Sequence, residues 1–135
     1  MRLLLPLLLL LSACARPVPA PQACPPGQDT AIRLELYFGL SKPDGSEVSE
    51  AEWAAFHRET ILPAFPDGMT LLAGSGHWRD ESGALGSEPS RLLVVLLFER
   101  GGLEERVARV SEDYKARFQQ QSVLSVESEA CAAFR

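Results

Sequence analysis

Arg91-Leu92-Leu93-Val94-Val95-Leu96-Leu97-Phe98 is an uninterrupted apolar run containing β-branched residues, bounded on its N-terminal side by Pro89. It is too short to cross a bilayer and reads as a buried strand. Because successive side chains alternate between faces, both faces of this strand are apolar and both need cover. Upstream, Met69 to Arg79 reads as a second strand in which Gly74 and Gly76 mark a bulge or bend. Asp80 to Ser87, with Gly83 and Gly86, reads as an irregular hairpin leading into the Leu92 strand. Downstream of Gly101-Gly102, Leu103, Val107, Val110, Tyr114 and Phe118 recur at helical spacing. Acidic Glu104 and Glu105 open that helix and basic Lys115 and Arg117 close it, as the helix dipole favours, and Glu105 with Arg109 and Asp113 with Arg117 are spaced to pair one turn apart.

The remaining elements follow from the same reasoning. Ala31 to Leu40 alternates, with Ile32, Leu34, Leu36, Phe38 and Leu40 on one side and Arg33, Glu35, Tyr37 and Gly39 on the other, which predicts a strand with one buried face. Ser41-Lys42-Pro43-Asp44-Gly45 has turn chemistry. Ser49 and Glu52 fit a capping box for a helix from about Glu50 to Leu62. Val123 to Glu127 closes the chain as a short last strand. The order β, α, β, β, α, β has a simple single-core solution, the α+β ferredoxin-like sandwich: an antiparallel four-stranded sheet with two helices on one face.

The N-terminus carries a different message. Met1-Arg2, the apolar Leu3 to Leu11, and Leu11-Ser12-Ala13-Cys14 read as a signal peptide over 1–13, and the last four residues resemble the bacterial lipobox, in which the cysteine receives diacylglycerol. The alternative is an ordinary signal peptide with an incidental Cys14. Residues 14–28 hold Pro17, Pro19, Pro21, Pro25 and Pro26, which favours an extended tether behind a lipidated Cys14, with the single domain at 29–135. The expected location is the bacterial cell envelope. Ala15, in place of the aspartate that resembles an inner-membrane retention signal, points to the periplasmic side of the outer membrane of a Gram-negative source. The formal net charge of −5 speaks against nucleic acid and gives no help on anionic lipid, so membrane association is expected through the N-terminal lipid. With Cys14 lipidated, Cys24 and Cys131 remain as an even pair in an oxidising compartment and are expected to form one disulfide rather than two free thiols. In the proposed topology the last strand lies antiparallel beside the first, which brings these two cysteines to the same edge.

Glu35-Leu36-Tyr37-Phe38-Gly39, Phe65-Pro66-Asp67-Gly68, Gly76-His77-Trp78, Glu88-Pro89-Ser90 and Tyr114-Lys115-Ala116-Arg117-Phe118 stand in an order that resembles a family of bacterial lipoproteins catalogued as domain of unknown function 3574. The resemblance covers roughly Ala31 to Phe134. It implies no activity. In that family glutamine commonly stands where this chain has His77, which weakens any mechanism that needs imidazole there.

Two surfaces carry the functional expectations. If two helices cover one sheet face, Leu93, Val95 and Leu97 or their alternates are left for a second copy of the chain, a small apolar ligand, or the tether or hairpin. The second surface is a cleft at the end of the sheet above Pro43-Asp44-Gly45, with Tyr37, Trp78 and Arg79 on one side and Lys42 and Ser90 near, suited to an anionic or aromatic ligand. The bland reading makes Tyr37 and Trp78 sheet-covering aromatics and Arg79 and Lys42 solvated cations. His77 is a weak candidate for a general base, more often structural when it stands alone. Ser75 lies outside any nucleophile elbow, and two histidines with a disulfide leave no zinc set. No phosphate loop or dinucleotide fingerprint occurs, so no cofactor or metal is expected. The leading expectation is a noncatalytic module that binds an unidentified small ligand or envelope protein. Its rival is a cofactor-independent enzyme, isomerase or oxygenase-like, working through Tyr37, His77 and Arg79.

Overall fold

The structure, a computed structural model, describes residues 23–79 and 82–135. The segment expected to be a signal peptide, Cys14 and most of the expected tether lie outside the described residues. The chain forms β1 (Asp29–Gly39), α1 (Glu50–Phe56), a π-helical turn (His57–Ile61), α2 (Leu62–Ala64), β2 (Thr70–Arg79), β3 (Leu85–Leu97), α3 (Leu103–Phe118) and β4 (Leu124–Ala132). α1, the π turn and α2 run on from one another as a single helical rod. The strands pair antiparallel in the order β2-β3-β1-β4. This is the expected α+β sandwich, with the Leu92 strand at the centre and the last strand beside the first.

Paired residues on neighbouring strands point to the same face. Leu34 pairs with Val95 and Leu36 with Leu93, so the buried alternation of β1 and the odd-numbered residues of β3 share the face beneath the helices. Leu34, Leu36, Phe38 and Leu93 are fully buried there. Phe38 packs edge-on against Trp53 from α1 and Tyr114 from α3, and Phe56 and Phe118 complete the aromatic cluster. The Ser49–Glu52 capping box forms as expected. The first helix outruns its expected end at Leu62 and reaches Ala64. Pro63 lacks an N–H and in an α turn its ring would press on the carbonyl of Glu59; the wider π turn ahead of it, in which Leu62 N–H bonds His57 C=O, accommodates it.

The ladder between β2 and β3 departs from expectation in two ways. It runs from Thr70–Val94 to Arg79–Leu85 with no slip, so Gly74 and Gly76 mark neither a bulge nor a change of face. β3 also starts at Leu85, well before Pro89, so the last three residues of the segment expected to be irregular, Leu85 to Ser87, are strand. Pro89 is tolerated because it stands at the rung where β1 stops. Its carbonyl accepts from Leu40 N–H, and the Leu40 carbonyl, which would have sought a donor from residue 89, accepts from Val48 N–H instead. Beyond that rung β2 and β3 continue alone as a two-stranded ribbon.

Cys24 and Cys131 are joined, with Cα atoms 5.5 Å apart, at the edge where β1 begins and β4 ends. This agrees with both the cysteine count and the strand order.

Candidate functional site

The sheet face away from the helices carries the even-numbered residues of β2 and β3 and the odd-numbered residues of β1. Leu92, Val94 and Leu96 lie on it, with Leu72 on one side and Leu124 and Val126 on the other. Leu96 is 46% exposed, whereas its neighbour Leu97 beneath the helices is 7% exposed. The apolar face that the sequence left without cover is therefore Leu92, Val94 and Leu96, not Leu93, Val95 and Leu97. Across its middle β1 lays a polar strip: Arg33 Nε donates to Glu35 Oε1 at 2.7 Å and the Tyr37 hydroxyl donates to Glu35 Oε2 at 2.5 Å. The Tyr37 bond, then the Arg33 bond, lowers the Glu35 carboxyl, and the same Glu35 bond raises the Tyr37 phenol.

The register separates the residues grouped by sequence. Tyr37 pairs with Leu92, which pairs with Leu72, so Tyr37 lies level with Leu72 and six residues short of Trp78. At about 3.3 Å per residue that is roughly 20 Å along the strand. Tyr37, Ser90 and Trp78 share the open face, but Arg79 and His77 have the opposite parity and point to the other side. A single cleft walled by Tyr37 and Arg79 does not form, and neither does the Tyr37, His77 and Arg79 constellation on which an enzyme was expected to rest. The cause is the slip-free Gly74 to Gly76 ladder together with the ribbon that carries Trp78 and Arg79 past the end of β1. Arg79 instead donates to the Gly83 carbonyl at 3.0 Å, and His77 Nε2 lies 3.3 Å from Ser75 Oγ.

A cleft of about 510 Å³ does open at this end of the sheet, lined by Gly39, Lys42, Pro43, Trp78, Glu88, Gln120 and their neighbours. Two of the expected residues, Lys42 and Trp78, are in it. Trp78 is held by the ribbon: it lies across from Gly86, where a Cβ would come within 2.6 Å of the indole. Glu88 spans the gap above Gly39, a position where any side chain would meet its carboxylate, and accepts from Ser41 N–H at 3.1 Å. Lys42 Nζ donates to Glu52 Oε1 at 2.7 Å and sits over the Phe118 ring. That bond, followed by those from the Ser49 backbone and hydroxyl, brings the Glu52 carboxyl down to about 2. Gln120 Nε2 donates to Ser41 C=O at 2.7 Å. Below the floor, the buried Tyr114 hydroxyl donates to Gly39 C=O at 2.8 Å, and burial, with the Glu88 charge second, raises that phenol well above its ordinary range.

Glu88 and Gln120 were not singled out by sequence. Glu88 stood in a motif of the resemblance, but its role depends on the absence of a side chain at Gly39, which only the β1–β3 register reveals. Chemically the cleft offers an indole and charges already engaged, Lys42 by Glu52 and Glu88 by the Ser41 N–H. Among the described residues, no group of three or more His, Cys, Asp or Glu side chains comes together to hold a metal.

A family model described as "Protein of unknown function (DUF3574)" matches residues 33–134. No curated protein matches the sequence. Among solved structures, a phage SAM lyase in complex with S-methyl-5'-thioadenosine is similar at a TM-score of 0.57 and 13% identity, covering 84% of this chain and 95% of that one. A phage SAM lyase in the apo state is similar at a TM-score of 0.53 and 14% identity, covering 86% and 99%. At these identities the likeness is one of fold.

Proposed function

This chain belongs to the family described as Protein of unknown function (DUF3574), and from that premise, which carries no activity with it, we propose that the domain is a noncatalytic binding module of the bacterial cell envelope. It is anchored through a lipid on Cys14 on the periplasmic side of the outer membrane and receives a flat, weakly charged ligand in the cleft at the end of its sheet. One observation carries the reading: the cleft presents Trp78, 46% exposed on the β2–β3 ribbon, while Lys42 and Glu88 beside it are engaged in bonds within the protein. An exposed indole backed by its own strand offers a stacking platform. Carboxylate and ammonium groups already bonded inside the protein orient such a ligand better than they move its protons. The apolar N-terminal run ending in Cys14, and a disulfide suited to an oxidising compartment, support the location.

Trp78 is also the reporter. The first probe is S-methyl-5'-thioadenosine, because a protein of similar fold holds it. Other nucleosides and free indoles follow. Saturable quenching of tryptophan fluorescence, abolished by Trp78→Ala while buried Trp53 still reports a folded domain, is the expected result. Turnover of any probe that falls by roughly a hundredfold on replacing Glu88 would overturn the noncatalytic reading, that being the scale of a lost general acid or base.

A further inference from the structure

β2 is an edge strand, and among the described residues nothing blunts its edge. From Thr70 to Trp78 it has no charged residue and no proline, and its ladder to β3 contains no bulge. These are the devices by which edge strands avoid pairing with other chains, so their joint absence leaves a row of backbone donors and acceptors open. β2 also lacks cover on its faces: Leu71 and Leu72 point to opposite sides of the sheet, at 36% and 49% exposure. The opposite edge is guarded, since β4 carries Glu127 and Glu129 and ends in the disulfide.

We propose that β2 is a homodimer interface, in which two copies pair antiparallel about a two-fold axis through Ser75 and merge their sheets into one of eight strands. The occupant is a second copy because β2 is complementary to itself about that residue. An axis normal to the sheet keeps both open faces on the same side, which requires paired residues to share parity. Centred on Ser75, the pairing sets Gly74 against Gly76, Ala73 against the partner's His77, and Leu72 against the partner's Trp78. Leu72 and Trp78 both belong to the open face, so each meeting joins an exposed leucine to an exposed indole, and it occurs twice. Small residues fill the centre, where two edges must approach closely, and Ser75 meets Ser75, a pair that can exchange a hydroxyl hydrogen bond. The first charge, Arg79, lies at the strand's end, so no like charges face each other near the axis. The pairing shares Trp78 with the cleft lining, whereas Ser75 and Leu72 lie outside it, so substitutions at these two positions test the interface apart from any ligand.

The full chain carrying Ser75→Cys, exported in a bacterial host and extracted in detergent, is expected to migrate at twice its mass on a non-reducing gel, with Cys24 and Cys131 still joined in its peptides. The same change at Leu124, on the far edge, is expected to leave it at single mass. Leu72→Lys is expected to convert the dimer to monomer in sedimentation while the melting temperature of the domain holds. A native chain that sediments as a monomer at every attainable concentration overturns the proposal. So does a dimer that survives Leu72→Lys and is lost with Leu96→Lys, which would mean packing face to face.

Discussion

The two ends of the sheet are closed by different means. At one end β1 starts and β4 finishes, and the Cys24–Cys131 bond closes a loop with a sequence separation of 107. At the other end β1 runs out at Gly39, and the loop to α1, the ribbon and the α3–β4 turn are gathered by single polar bonds: Glu88 to Ser41, Gln120 to Ser41, Lys42 to Glu52, and Tyr114 to Gly39. A covalent closure fixes the strand ends whatever occupies them. Polar closures can lengthen or exchange partners at modest cost, which suits the end that holds the cleft.

The sharpest way to break this contrast is to cut the covalent end. Replacing Cys24 and Cys131 by serine is expected to lower unfolding stability by up to about 4 to 5 kcal/mol in urea titrations, the loop-entropy figure for about a hundred residues. A loss smaller than that of any single polar bond at the cleft end would erase the distinction. Next in size is Tyr114→Phe, which leaves the partly buried Gly39 carbonyl without its donor and is expected to cost about 1 to 3 kcal/mol. Acid should weaken the cleft end selectively. The Glu52 carboxyl sits below its ordinary value in the fold, so its contribution is complete above about 4.5 and is lost as pH falls toward about 2. Melting temperatures followed through that window should fall more steeply for the native chain than for Glu52→Gln; parallel curves would remove Glu52 from the account. The smallest effect on stability is expected for Trp78→Ala, under about 1 kcal/mol by thermal unfolding, since the indole is half exposed. A larger loss would make Trp78 a structural cover for Gly86 rather than a platform.

Much of the fold was legible because its signals are local. The alternation from Leu34 to Phe38, the stripe from Leu103 to Phe118 and the Ser49–Glu52 box each needed only neighbouring residues, and the cysteine pair tied the ends together. The face of the Leu92 strand was not legible, since both of its faces are equally apolar and only the pairing of Leu36 with Leu93 decides which goes beneath the helices. The cleft was harder still. Placing Tyr37 beside Trp78 assumed that the strands stop together at Pro89, whereas a proline at the last rung of one ladder is harmless to the other. Glu88 over Gly39 is a contact between a side chain and the lack of one, and no periodicity announces it.

The bond between Cys24 and Cys131 also decides where the domain bears a load. Any pull along the chain ahead of Cys24 arrives at the cross-link and is delivered to β1 and β4 together. β1 is hydrogen-bonded on both sides, to β3 and to β4, so with the bond intact it cannot be peeled from β4 one rung at a time starting from its free end. Reduction would move the point of attack to Asp29, at the head of that ladder, and turn a clamped strand into a zipper.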